Sequence, residues 1–499
     1  MNGATPLFRA PWDASGLPAG RVSDASASDV TTAPLLITLL SAVLLGGLVV
    51  FAELNALTAC LSLLACVFIL RDFRSGAFLL IAILPISASP LVPHSMAGIT
   101  GANPVNLLLL GTLAACLLHL PLTTLARLAP RPLVWLYLVP VVIAGLAGSR
   151  NVGAIPSFSS VATFVQFDNA GGYLRDMLLK PLLLVLFAFV VAATASRESD
   201  DRRLHNALLV AIWVMGLMTI GFVAVSGVGL AELASEHARE FFAPLGMHAN
   251  TLGRIYAVAY ALMLFTFVGT ADPRRRLVLG LSMVMVAGAL MLTFSRSAFF
   301  GFAVVNAWFL LSRRSLPAIA FAAALLAALL LAMPGAVWDR LASGWDSGLN
   351  AVSAGRIDAI WLPLMPDLQD NLLFGRGLES TLWSNALRSG SMLEVTHPHN
   401  AYLRAALDMG VVGLALLCAY FVTIWQGFRR LGRDGGLSPE ERGFYTGAGV
   451  GLVSFLVAGV AGSSLTPSLE QAFLGLAIGL LYGRRLRVMT PAPATVRRV

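Results

Sequence analysis

Apolar runs of about 15–25 residues recur along the chain between short polar breaks, the length an α-helix needs to cross a hydrocarbon core of ~30 Å. They lie near 33–52, 56–70, 75–88, 104–120, 132–148, 177–196, 205–230, 251–270, 277–294, 298–312, 317–333, 403–427, 446–461 and 469–482. The pattern predicts an all-α polytopic membrane protein with about 12–14 transmembrane helices. The short runs at 56–70, 75–88 and 469–482 are candidates for merged, tilted or re-entrant segments. Residues 1–32 lack apolar periodicity and read as a mostly disordered tail. The first apolar run, from about Ala33, is too long for a signal-peptide core. The segmentation is then a tail over 1–32, a bundle over 33–333, a long polar loop over 334–402, C-terminal transmembrane helices over 403–482 and a basic tail over 483–499.

Basic clusters sit in alternate loops: Arg71 with Arg74, Arg127 with Arg131, Arg202-Arg203, Arg274-Arg275-Arg276, Arg313-Arg314, Arg429-Arg430 and Arg484-Arg485. One orientation satisfies all of them, with these loops and both termini in the cytoplasm. The other loops, 89–103, 149–176, 231–250, the tight Ser295-Arg296-Ser297 turn, 334–402 and 462–468, then share the opposite face. The longest, 334–402, is expected to be a folded cap, with a short amphipathic helix near 334–341 and a second at about Ala354–Met365 that stops near Pro366.

Composition agrees: 57% of the 499 residues are hydrophobic and only 12% charged, with a mean hydropathy of +0.80. Cys60, Cys66, Cys116 and Cys418 all fall in apolar runs without metal-type spacing, and read as packing residues. The net charge of +8 is almost wholly arginine, Lys180 being the only lysine. Short basic loops between spans argue against nucleic-acid binding.

Positive charge on the outer face needs a purpose. Arg150, Arg175, Arg239, Arg254, Arg296, Arg340, Arg356, Arg376, Arg388 and Arg404 lie there or at its boundary. Asp176 and Asp339 can pair with Arg175 and Arg340. For Arg296 no carboxylate is near in sequence, and for Arg356 only Asp358. Such a cluster suits an anionic lipid-linked substrate such as a diphosphate, although each arginine alone reads equally well as a headgroup anchor. The longest loop closes on Thr396-His397-Pro398-His399-Asn400, where polar residues meet the apolar run from Ala405.

These pieces carry a resemblance. Gly355-Arg356 with Trp361, Asn371-Leu372-Leu373-Phe374-Gly375-Arg376-Gly377, His397-Pro398-His399-Asn400-Ala401-Tyr402 and Asp408-Met409-Gly410-Val411-Val412-Gly413 come in that order. With Thr293-Phe294-Ser295-Arg296-Ser297 and His248-Ala249-Asn250 upstream, the set resembles the O-antigen ligase and Wzy-type polysaccharide polymerase superfamily. The resemblance implies glycosyl transfer from an undecaprenyl-diphosphate-linked glycan at the periplasmic face of the bacterial inner membrane. The acceptor is the lipid A core for ligases and a lipid-linked repeat unit for polymerases. It implies no metal or other cofactor, and an architecture similar to other multi-span (GT-C-like) lipid-sugar glycosyltransferases.

Breaking an anomeric bond to diphosphate requires stabilisation of the leaving group's charge. No Asp-x-Asp occurs in the outer loops, so Arg296 and Arg356 are the candidate clamps. His399, placed before Asn400 as the family's key histidine is, is the candidate general base. His397, Asn400, Tyr402, Arg175, Arg254 and Arg376 are candidate substrate contacts; Asn400 also reads as a helix cap, and Tyr402 as stacking on a sugar or on apolar neighbours. Trp361 and Trp383 are possible sugar platforms or interfacial belt residues. Asp358, Asp367, Asp370, Glu379 and Glu394 read first as ordinary solvated charges, with support of sugar hydroxyls as the alternative. A transporter would place ionisable residues in mid-span with repeat symmetry; the predicted spans carry almost no charge, and the polar residues gather in one loop, which favours an enzyme.

Overall fold

A computed structural model of the chain describes residues 58–313 and 348–489 apart from 90–91, 94, 97–98, 101–102, 156–166, 198–200, 234, 236–239 and 390–394. Every predicted apolar run within these residues is helical. The runs at 33–52 and 317–333, the tail over 1–32, the expected helix at 334–341, and Arg239, Arg340 and Glu394 lie outside them.

The helices are α1 Thr58–Arg71, α2 Phe73–Ile83, α3 Pro104–His119, α4 Leu122–Leu128, α5 Leu133–Ala154, α6 Ala170–Arg197, α7 Asp201–Ser226, α8 Ala249–Gly269, α9 Pro273–Leu292, α10 Arg296–Arg313, α11 Leu362–Asp370, α12 Ala401–Leu431, α13 Pro439–Ala461 and α14 Ala472–Met489. Among the described residues seven of these, α5 to α9, α12 and α13, are long and apolar enough to cross a membrane. A cap residue followed by proline recurs at helix starts. Asn103-Pro104, Asp272-Pro273 and Ser438-Pro439 each accept a backbone N–H on the first side chain, while the proline occupies a position whose N–H has no helical partner. The chain is not wholly helical: Ser95–Met96 pairs antiparallel with Ile99–Thr100.

Helix α8 is the axis of the bundle, with 78% of its most apolar stretch buried against 33% for α7. Its most extensive partner is α13. Gly443, Gly447 and Gly451 lie four residues apart on α13, and a Cβ on Gly447 would come within 2.5 Å of the Ala261 carbonyl oxygen on α8. A ladder of small residues lets two backbones approach without side chains between them, which is how helices associate where the hydrophobic effect is absent.

Ion pairs divide the bundle into two ends. At one end Arg275 at the start of α9 meets Glu440 at the start of α13 at 2.5 Å. There Arg487 and Arg484 of α14 meet Asp201 at the start of α7. All these groups come from or flank loops expected in the cytoplasm. Helix α14 accordingly runs to Met489, past the expected end of the apolar run at 482, because its last turns are held by these pairs. At the other end gather the starts of α8, α10, α12 and α14 and the cap.

The described part of the cap is pinned to that end by its own backbone. Arg376 N–H donates to Leu407 O at 3.0 Å, Gly377 N–H to Asp408 O at 2.9 Å and Val411 N–H to Leu372 O at 2.8 Å. The Asn371–Gly377 and Asp408–Gly413 stretches thus dock on each other. Gly410 sits at φ 69°, outside helical geometry, so the expected single span at 403–427 is broken there. A Cβ at Gly410 would lie 2.1 Å from Leu373 O, so the close approach requires glycine. The cap helix also departs from expectation. Rather than stopping near Pro366, it widens over Ile357–Trp361 and continues to Asp370 with Pro366 inside it. Fully buried Leu364 and the nearly buried Asp367 anchor this segment, and packing overrides the helix-breaking preference of proline.

If backbone approach at the α8–α13 ladder holds the bundle, Gly447→Ala should lower stability by roughly 1–3 kcal/mol through overpacking. Gly475→Ala, inside α14 with nothing within 4 Å of the added Cβ, should be neutral to stabilising by up to about 1 kcal/mol; thermal unfolding of both purified variants in one detergent checks the contrast.

Candidate active site

Arg296 and Arg356, 60 positions apart in the chain (356 − 296), face one cavity of about 700 Å³. Arg296 opens α10 directly after the Ser295 turn. Ser295 Oγ lies 3.1 Å from Ser297 Oγ, and Phe294 enters the turn at φ 46°. Arg356 follows Ala354 at φ 57° and Gly355 at φ 77° and leads into the widened turn Ile357–Trp361. Asn250 and Ser297 add polar groups to the wall, and Phe299, Phe300, Val457 and Val460 make another part apolar. The cavity therefore offers two guanidinium groups beside an apolar surface. That chemistry fits an anionic headgroup joined to a hydrocarbon chain.

The histidine turn adjoins this cavity. Trp361, which lines the cavity, donates its indole N–H to Pro398 O at 2.9 Å. The His397 and His399 rings lie 4.3 Å apart between centroids. His399 holds φ 51°. Among the described residues four non-glycine positions have left-handed φ, namely Phe294, Ala354, Glu379 and His399. His399 is itself a candidate residue, Phe294 and Ala354 each stand two positions before a candidate arginine, and Glu379 pairs with Arg404, a distribution that fits strain retained near a site. Asn400 accepts the Tyr402 and Leu403 N–H groups at 3.1 Å each and caps α12. Tyr402 donates to Leu456 O at 2.6 Å, which makes it a strut to α13. Thr396 Oγ1 lies 3.1 Å from His397 Nδ1. Burial pushes His397 down to about 2, helped by the positive charge of the Arg404, Arg254 and Arg356 guanidinium groups. His397 is thus neutral at every ordinary pH.

The other predicted arginines are placed differently. Arg254, 3% exposed, is paired with Glu470 and donates to Ser297 Oγ and Ala461 O at 3.3 Å each. It braces the cavity wall from behind. Arg376 pairs with Asp367 at 2.8 Å within the cap. Arg175 pairs with its neighbour Asp176 at 2.9 Å on an exposed part of α6 and does not line this cavity. Arg404 pairs with Glu379 and lies 3.6 Å from Asp408. Two expected roles are corrected. Trp383 is fully buried against Tyr173, so it offers no face to a sugar. Asp367 and Glu379 are buried partners of arginines rather than solvated charges.

Sequence reasoning missed Glu470, Glu379 and Asp408 as members of the site's support. Ser463 joins the pairs, donating its hydroxyl to Glu470 at 2.7 Å while its carbonyl accepts from Arg404 at 2.9 Å. The available signal was a carboxylate near the start of an apolar run, at Asp408 and again at Glu470, on the face that carries the outer arginines.

Residues 281–418 match the sequence model of the family described as O-antigen ligase. The matched stretch holds Arg296, Arg356, Trp361 and the histidine turn, while Arg254 and Glu470 lie beyond it. No curated protein matches the chain.

The neutral His397 carries a pH signature. The unfolded chain protonates this ring near 6.5 and the folded state only near 2, so below about pH 6.5 the unfolded state binds the extra proton. The contribution is complete above that pH and is lost as pH falls, with a slope of up to about 1.4 kcal/mol per pH unit. His397→Gln should flatten the fall in melting temperature between pH 7 and pH 5; equal slopes for both proteins would contradict the assignment.

Proposed function

We propose that this chain, whose residues 281–418 match the family described as O-antigen ligase, transfers a glycan from an undecaprenyl-diphosphate donor to a sugar hydroxyl at the periplasmic face of the inner membrane. The acceptor is the lipid A core or a growing lipid-linked polysaccharide. The observation that carries this reading is the convergence of Arg296 and Arg356 on one half-apolar cavity whose wall is bonded to the His397–His399 turn.

The division of labour follows from charge. As the anomeric carbon–oxygen bond breaks, negative charge grows on the departing diphosphate. Arg296 and Arg356 stabilise it with planar, bidentate hydrogen bonds. By analogy with oxyanion-hole donors, one such group is worth ~3–4 kcal/mol. The polyprenyl chain lies along Phe299, Phe300, Val457 and Val460. The acceptor hydroxyl must lose its proton as it attacks, and His399 accepts it, a contribution of typically ~10²–10⁴-fold. His397, held neutral, contributes a hydrogen bond without adding charge. Arg254 acts on Arg296 through Ser297. Arg175 and Arg376, tied to Asp176 and Asp367, remain candidates for the glycan's outer residues.

The ligase reading takes its weight from the family description. A polymerase would use the same donor cavity and differ at the acceptor.

The two roles should separate by mutation. Arg356→Ala and Arg356→Lys should both lose turnover, since lysine keeps the charge without the planar fork. Arg356→Ala should also weaken binding of undecaprenyl diphosphate. His399→Ala should bind it normally, lose turnover about 10²-fold or more, and regain part of the rate as pH rises. Binding and turnover measured across pH on purified variants check both halves; loss of binding in His399→Ala with normal binding in Arg356→Ala would reverse the assignments.

A further inference from the structure

We propose that Trp361 is a positioning residue that transmits occupation of the arginine-lined cavity to His399. The proposal rests on the role given to His399 above and adds a residue that acts through it. Trp361 has one side on the cavity that Arg356 and Arg296 share, and its indole N–H is bonded at 2.9 Å to the carbonyl of the residue between the two histidines. That residue is Pro398, whose carbonyl is its one backbone hydrogen-bonding group and belongs to the peptide unit that leads into His399. The next residue, His399, is in the left-handed region at φ 51°, which a side-chain-bearing residue keeps only when its surroundings impose it. Asn400 fixes the turn from the α12 side; Trp361 fixes it from the cavity side.

The backbone around Trp361 suits a transmitting role. The turn Ile357–Trp361 is wider than an α-helix, and one added residue rotates the remainder of the helix by about 100° about its axis. Such widened turns concentrate at functional sites. Beyond Trp361 the segment is anchored. Leu364 is fully buried, and both Asp367 carboxylate oxygens accept the Asn385 N–H at 3.0 Å. Before it, Gly348, Ala354 and Gly355 all carry positive φ, at 89°, 57° and 77°. Trp361 stands where the segment carrying Arg356 meets the anchored helix. Any shift of Arg356 onto a diphosphate is felt first at this indole, and through Pro398 at the histidine.

The test uses the purified full-length chain, with lipid-linked glycan extracted from cells lacking the protein as donor and undecaprenyl diphosphate as the binding probe. Trp361→Phe keeps an aromatic ring and removes the N–H. It should lower kcat about tenfold or more while leaving affinity for undecaprenyl diphosphate within about twofold, which also reports that the variant is folded. In a His399→Ala background the same change should alter the residual rate by less than about twofold, since the two residues act as one unit. Trp361→His should recover part of the loss, because its Nε2 lies two bonds from Cγ, as the indole Nε1 does. Equal losses in both backgrounds, an unchanged kcat, loss of probe binding, or no difference between Trp361→His and Trp361→Phe would each overturn the proposal. Wild-type turnover by His399→Ala alone would instead remove the general-base reading, and this proposal with it.

Discussion

A guanidinium group buried beside a membrane interior is tolerated only when a carboxylate meets it and further hydrogen bonds satisfy both. At one end of this bundle that condition is met twice, by Arg254 with Glu470 and by Arg404 with Glu379 and Asp408. Ser463 joins the two pairs. Between them they tie the starts of α8, α10, α12 and α14 to the cap. The Ser295–Ser297 turn is held through Arg254, and the first turn of α12 through Arg404. Removing a single partner would leave a buried charge uncompensated, at a cost of about 3–5 kcal/mol.

This constraint divides the outer arginines into two sets that composition could not separate. Arg254 and Arg404 are tied to carboxylates and serve as braces. Arg296 and Arg356 face a cavity. Distance along the chain gave no hint of this, because Glu470 stands 216 positions from Arg254. The carboxylates Asp367 and Glu379 looked like solvated charges for the same reason: only the folded cap shows what covers them. The view that the spans are nearly free of charge also needed amending, since Arg254, Asp408 and Glu470 fall inside predicted runs and are buried there.

Other features were legible because local chemistry decides them. The length of the apolar runs gave the helices; the cap-proline pairs Asp272-Pro273 and Ser438-Pro439, which start two of them ahead of the expected runs at 277 and 446, were local signals left unread. The alternation of basic loops anticipated which helix ends come together, as the Arg275–Glu440 and Arg487–Asp201 pairs at one end show. The Asn-capped start of α12 follows from residue type alone. Kinks did not: Gly410 breaks α12 because Leu373 crosses it, and Pro366 stays helical because Leu364 and Asp367 are anchored. Both depend on contacts between segments distant in sequence. The histidine turn was visible as a concentration of polar residues, but its bond to Trp361 was not.

The account turns on where the diphosphate sits. A polyprenyl diphosphate carrying a photoreactive group next to the phosphates, bound to the purified chain and irradiated, locates it directly. The account predicts label on peptides containing Phe294–Phe300 and Leu349–Trp361, reduced in Arg356→Ala and competed by undecaprenyl diphosphate. Label concentrated instead on Arg175–Lys180, with those two peptides unmarked, would contradict it.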